Sequence, residues 1–372
     1  MSIKFCQPNN RTKSLWILLF ISLLGLVISL VHITDWVPFF SDQVWFYNAA
    51  NNSLLHGGFL LFGLRSSIYW LHHGALWMYI LLPALWLTDF HPLTAHFFTV
   101  FLNLFNIPLI YYLSGIWFGK KTGLIASFIF SFSYIFILFA RFGYHISLIP
   151  LLFLISALCL VKKRYFLSGL FLAFFYQVHL LAVIYWPLAF LYLIVKKAPF
   201  MKFILGSLIG IIPFLLSGPV QTFGIIVWLA KYAVSLHGSV GISSSESMVV
   251  ALPLVIVVSV VLSRLNRKIL YVLSLIYFIF NLNFLISYHF YPPDIFYSPD
   301  YSSKLLISRQ ILDHSRITAP GIQIIGGLPG DTGYSDSYTY LLGWLQKRGL
   351  KPSGVYSKFV IDENTLTLRM LE

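Results

Sequence analysis

The sequence predicts an all-α polytopic membrane bundle followed by a small α/β domain. Three observations lead there: 58% of the 372 residues are hydrophobic, only 10% are charged, and apolar runs of near-membrane length recur from Leu15 to Ser287. A water-soluble fold of this size has no surface on which to keep such a balance. Crossing about 30 Å of hydrocarbon takes about 20 apolar residues, and each run here closes on Lys, Arg, Gly or Pro. An outer-membrane barrel would show short segments of alternating polarity instead.

The first run, Leu15 to Ile33, follows Lys4, Arg11 and Lys13. It is longer than a signal-peptide core and lacks a small-residue cleavage site, so it reads as a signal anchor. Further spans are expected at 93–117, 122–140, 144–161, 165–178, 180–195, 202–217, 247–263 and 269–287, about nine with the first at 14–33. The stretch Tyr165 to Val195 lies between basic clusters that belong on one side. As one helix it would be about 46 Å long, so a hairpin with its tip at Tyr176 to His179 fits better.

Charge placement sets the orientation. If Leu71 to Thr88 lies in the membrane interface, every Lys and Arg through residue 287 except Arg65, Arg141 and Lys231 shares the cytoplasmic side with the N-terminal tail. If that segment crosses, Lys120/Lys121 and the later clusters at 162–164, 196–202 and 264–268 all move outside. The positive-inside bias therefore puts 71–88 in-plane, within a long outer segment, 34–92. The net charge of +13 marks topology, and no nucleic-acid partner is implied. Cys6 and Cys159 suggest neither a disulfide nor a metal site.

Residues 288–372 carry most of the acidic side chains and are rich in Pro, Gly, Asp and Ser. They read as an extracytoplasmic α/β domain, with helices near Ser302–His314 and Tyr338–Lys347 and strands near Ile322–Ile325, Val355–Ile361 and Leu366–Met370. The transmembrane domain is then 1–287.

Only Asp35, Asp42, Asp89 and Glu246 precede residue 288 among the 12 acidic residues, and all four map to the outer face. Moving a sugar from a lipid phosphate to a hydroxyl needs a carboxylate to take the acceptor's proton, and positive or hydrogen-bonding groups for the departing phosphate. Asp42, in Phe40-Ser41-Asp42-Gln43-Val44-Trp45, is the best placed; the same spacing also suits the N-cap of an interfacial helix. Asp35 reads as a solvated residue and Asp89 as a turn residue. Arg65, Arg141 and Lys231 go against the charge bias, which suits either phosphate binding or snorkelling to headgroups. His72, His73, His145 and His179 project to the outer end of the bundle, where imidazoles serve a divalent metal or ordinary hydrogen bonds equally well. Gln177 and His179 sit at a hairpin tip, where polar side chains usually line a cavity.

On these residues the chain resembles the GT-C superfamily of polyprenyl-phosphate-sugar transferases, which includes protein O-mannosyltransferases and lipid A aminoarabinose transferases. The resemblance covers about residues 14–290. An outer Asp followed by Ala49-Ala50 and Leu54-Leu55-His56-Gly57 is similar to the family's first loop and puts Asp42 at the catalytic aspartate; Gln43 stands where many members have Glu. His72-His73-Gly74-Ala75-Leu76-Trp77 with Pro83 resembles the family's in-plane segment. Arg141-Phe142-Gly143-Tyr144-His145 resembles the second outer loop, with His145 in place of Asn or Asp, and Gln177-Val178-His179 resembles a Gln-x-His hairpin tip.

The resemblance implies a GT-C-like fold and an inverting transfer on the non-cytoplasmic face of the plasma membrane, from a polyprenyl-phosphate-linked sugar to a protein, lipid or glycan hydroxyl. Asp42 is then the general base. Arg141, His179, Arg65 and Lys231 hold the donor phosphate, and Tyr47, Tyr144, His145 and Gln177 line the substrate site. A divalent metal, if one is used, falls to His72 and His179. The rival readings are a transporter or lipid flippase, and a non-catalytic GT-C-like lipid-binding protein.

Overall fold

The computed structural model describes residues 10–65, 71–217, 244–289, 299–325 and 335–371. Apolar sequence with few breakers forms helices almost throughout: α1 (Asn10–Leu30), α2 (Ser41–His56), α3 (Leu76–Leu87), α4 (Thr94–Leu104), α5 (Asn106–Phe118), α6 (Lys120–Phe132), α7 (Tyr134–Arg141), α8 (Ile149–Val161), α9 (Tyr165–Val178), α10 (Tyr185–Val195), α11 (Phe200–Gly210), α12 (Ile212–Ser217), α13 (Ser244–Ser263) and α14 (Arg267–Ser287). Among the described residues three helical stretches are long and apolar enough to cross a membrane, Thr12–Leu30, Thr94–Phe118 and Arg267–Ser287, and α6 with α7 makes a fourth if that pair, bent by 58°, is one span. Sequence hydropathy suggests about nine crossings. Several of the expected spans are helical but come in shorter pieces, broken at His145 and His179 by 3-10 turns and at Ile211 ahead of Pro213. The long helices present side chains such as Trp16, Phe20, Ile276 and Phe280 outward, a surface suited to hydrocarbon.

Inside an apolar bundle every helix break frees backbone groups that need partners. At the α6–α7 bend a single neighbouring helix supplies them. Asn281 of α14 accepts the Tyr134 N–H at 2.8 Å, and the Tyr277 hydroxyl, one turn earlier, donates to the Ile129 carbonyl at 2.8 Å.

The segment between α1 and α4 holds α2, a short hairpin of β1 (Phe62–Arg65) and β2 (His72–Gly74), and α3. The hairpin was not visible in the sequence, because its strands are only four and three residues long. With 12 residues, α3 is about 18 Å long, too short to cross alone.

Residues 300–371 build a separate small core. Helix α15 (Tyr301–His314) is capped by Asp300, which accepts the Ser303 N–H at 2.9 Å. Strand β3 (Gly321–Ile325), helix α16 (Asp336–Lys347) and strand β4 (Lys358–Asp362) follow, with β3 and β4 parallel and β5 (Thr367–Leu371) antiparallel on β4. Ile307, Ile311, Leu342, Leu345, Phe359 and Ile361 form its interior. A second cluster joins it to the segment between α1 and α4: Val37, Phe39 and Leu93 pack with Tyr301 and Leu341, and the Tyr340 hydroxyl donates to the Phe90 carbonyl at 2.6 Å.

Helices α9 and α11 meet through small residues. Cβ atoms added at Gly169 and Gly206 would collide with the carbonyls of Phe203 and Phe166, and one at Gly210 would lie 2.5 Å from the Ala173 Cβ, so the backbones touch along a small-xxx-small seam on both helices. Gly206→Leu is therefore expected to force the helices apart and cost about 1–3 kcal/mol or more, read as a lower thermal midpoint of the detergent-purified protein. Gly115→Ala, whose added methyl meets open space, should stay within about 1 kcal/mol of the parent or gain slightly.

Candidate functional site

The site grows from the start of α2. Phe40 is the N-cap residue, extended at φ −135, and its N–H is accepted by the Gln43 side chain at 3.2 Å, half of a capping box. Asp42 is thus a first-turn residue and not the cap that its spacing suggests; negative charge is favourable there. Its carboxylate turns instead to the loop at 141–145, where the Tyr144 hydroxyl donates to it at 2.9 Å.

Gln43 carries a role that the sequence did not reveal. Its amide nitrogen donates to the Phe142 carbonyl at 2.6 Å and lies 3.4 Å from His96 Nε2. His96 Nδ1 in turn donates to the Arg141 carbonyl at 2.7 Å. A glutamate at 43 could not donate to Phe142, which accounts physically for the amide. Gly143 completes the turn at φ +63, with His96 packed where a Cβ would sit.

Behind Tyr144 lies a cluster of buried imidazoles. His145 and His179 have rings 4.5 and 6.3 Å from that of His73, and the Tyr144 ring is 4.0 Å from His145. Nδ1 of each of the three histidines is buried without a hydrogen-bond partner, while the His73 ring bonds the Val178 backbone. Burial pushes the His73 imidazole down from 6.5 to about 4, so it is neutral at pH 7.

Other expected site residues have different work. Arg141 is buried and donates to the carbonyls of Ser29, Val31 and His32. There it neutralises the C-terminal end of α1. The Tyr47 hydroxyl donates to Pro92 O at 2.8 Å and accepts the Ala95 N–H, and burial raises its pKa; it fastens α2 to α4. Gln177 donates to Gly210 O at 2.6 Å and packs against Gly74, linking α9, α11 and β2.

His72 and His179, the pair expected for a divalent metal, sit in different surroundings. Successive strand residues face opposite ways, so His72 packs on Phe62 at 4.8 Å while His73 joins His179. Among the described residues no group of three His, Cys, Asp or Glu is placed to hold a metal ion. Arg65 is exposed on the hairpin, and Lys231 lies outside the described residues. Asp35 pairs with His32 at 3.2 Å, about half exposed, and Asp89 is exposed with φ +50. No protein-family model, curated protein or solved structure matches the chain.

Arg141→Met is expected to lower stability by about 2–3 kcal/mol as the charge-assisted bonds are lost, measured as thermal midpoint. His73 gives a pH dependence. Its folded-state pKa lies below the unfolded value, so the unfolded chain takes up the proton first as pH falls. Stability is fully present above pH 6.5 and falls by about 3 kcal/mol toward pH 4. A midpoint-versus-pH curve should be shallower across that window in His73→Gln.

Proposed function

We propose that this chain is a polytopic membrane glycosyltransferase of the GT-C kind, working on the non-cytoplasmic face with Asp42 as general base. Its donor is a polyprenyl-phosphate-linked sugar and its acceptor bears a free hydroxyl. The observation that carries the reading is the Asp42–Tyr144 hydrogen bond, which brings together two outer loops that are far apart in sequence and sets a half-buried carboxylate before a cluster of neutral imidazoles.

In the proposed step the acceptor oxygen attacks the anomeric carbon from the face opposite the phosphate. The bond from that carbon to the phosphate oxygen breaks and its electron pair leaves with the phosphate. The acceptor proton passes to Asp42, and inversion follows from the single displacement. Tyr144 is a positioning residue that holds one carboxylate oxygen and steers the other toward the acceptor. Arg65, exposed at the end of β1, is the proposed cationic contact for the phosphate, with Lys231 a second. The topology proposed with it has nine crossings, a cytoplasmic N-terminus and residues 288–372 outside. The helical state of each apolar run and the short length of α3 support it.

Asp42→Asn should reduce transfer from a labelled polyprenyl-phosphate sugar in proteoliposomes by about 10²–10⁴ while the protein stays folded in the membrane. Tyr144→Phe should cost about tenfold, in kcat more than in KM. Full activity of Asp42→Asn, or labelling that puts residue 42 in the cytosol, would end the proposal.

A further inference from the structure

Helix α16 carries Asp336, Thr339, Tyr340, Gly343, Trp344 and Lys347 along one stripe, at spacings of three and four. That stripe faces α2 across a cavity of about 300 Å³, at the small end of the range for ligand sites. Aromatic rings of Tyr47, Phe90, Tyr340 and Trp344 make its inner wall. Asn48, Asn51, Asp89, Asp336 and Lys347 line its polar side. The Trp344 indole N–H is buried without a hydrogen-bond partner, the state of a donor awaiting an acceptor, and one face of that ring is already covered by Arg348 at 4.0 Å.

Gly343 sits mid-helix in the stripe, and an added Cβ there would meet open space. No packing demands a glycine, which costs about 1 kcal/mol in a helix relative to alanine. Its effect is to leave the cavity open. A second hollow of about 650 Å³ shares Val44, Asn48 and Asp336 with the first and runs on past Asn52 and Trp45 to Ser41, the residue that precedes Asp42 in the first turn of α2. From residue 51 back to 42 is about 14 Å along the helix, longer than one hexose ring.

We propose that this groove is an acceptor subsite for a neutral oligosaccharide. Planar amides and carboxylates match vicinal hydroxyls two at a time, and aromatic rings offer apolar faces to the C–H side of a sugar. Lys347 offsets part of the acidic charge, which disfavours a cationic ligand, and the polar rim disfavours a lipid tail. The inference rests on the glycosyltransferase reading and names its acceptor class: a glycan seated along α2 with its reacting hydroxyl toward Asp42.

Saturation-transfer NMR on the full chain in nanodiscs tests it, with maltotriose, cellotriose, chitotriose and mannotriose as probes and a short Ser/Thr peptide beside them. At least one trisaccharide should receive saturation. Its affinity should fall about tenfold or more in Gly343→Phe, which fills the cavity, and in Asn51→Leu, which removes one polar contact. No transfer to any trisaccharide, transfer that survives both groove variants, or transfer to the peptide alone overturns the subsite. Saccharide binding with no turnover of lipid-linked sugar supports the subsite and removes the enzymatic reading instead.

Discussion

Gln43 joins the start of α2 to the loop at 141–144, and the candidate site depends on that link. Its oxygen caps Phe40 and its nitrogen reaches Phe142, so the first turn of α2 and the loop at 141–144 move as one piece. With both ends fixed, Asp42 has only a short reach to Tyr144. The anchoring is made of bonds to backbone and therefore does not depend on charge.

The same economy of polar groups shapes the bundle. Water cannot repair a broken helix in an apolar interior, and at several breaks a side chain is placed to do so. Asn281 and Tyr277 serve the bend before Tyr134, and Gln177 takes the last carbonyl of α11 at Gly210. Arg141 completes the three carbonyls that end α1. A buried cation here has a reason unconnected with substrate: a helix end concentrates about half a negative charge, and a guanidinium with several donors suits divergent carbonyls better than an ammonium does.

Much of the element pattern was legible in the sequence. The expected span 93–117 is the helical stretch Thr94–Phe118, and 269–287 lies within Arg267–Ser287. The helix expected from Ser302 begins at Tyr301, and the one expected from Tyr338 begins at Asp336, an acidic first turn. The expected strand from Val355 starts at Lys358. These agree because hydrophobic period and caps are local signals. The β1–β2 hairpin is not local in that sense. Read as an apolar segment, it hid the alternation that sends His73 inward and His72 to Phe62.

The site itself was half legible, for a physical reason. Scarcity pointed to Asp42, since a chain with so few acids in its apolar part has few candidates for a base. Scarcity could not sort the cations and amides, because a buried Arg or Gln is equally rare whether it holds a ligand or a carbonyl. Only the partner atom decides, and for Arg141, Gln43, Gln177 and Tyr47 that atom belongs to the backbone of another element. The groove along α16 was hidden in the opposite way. Its residues are common ones at helical spacing, and their meaning comes from the opposing face of α2, where Asn48 and Asn51 stand across from Trp344. A pattern of that kind is carried by two helices together and by neither alone.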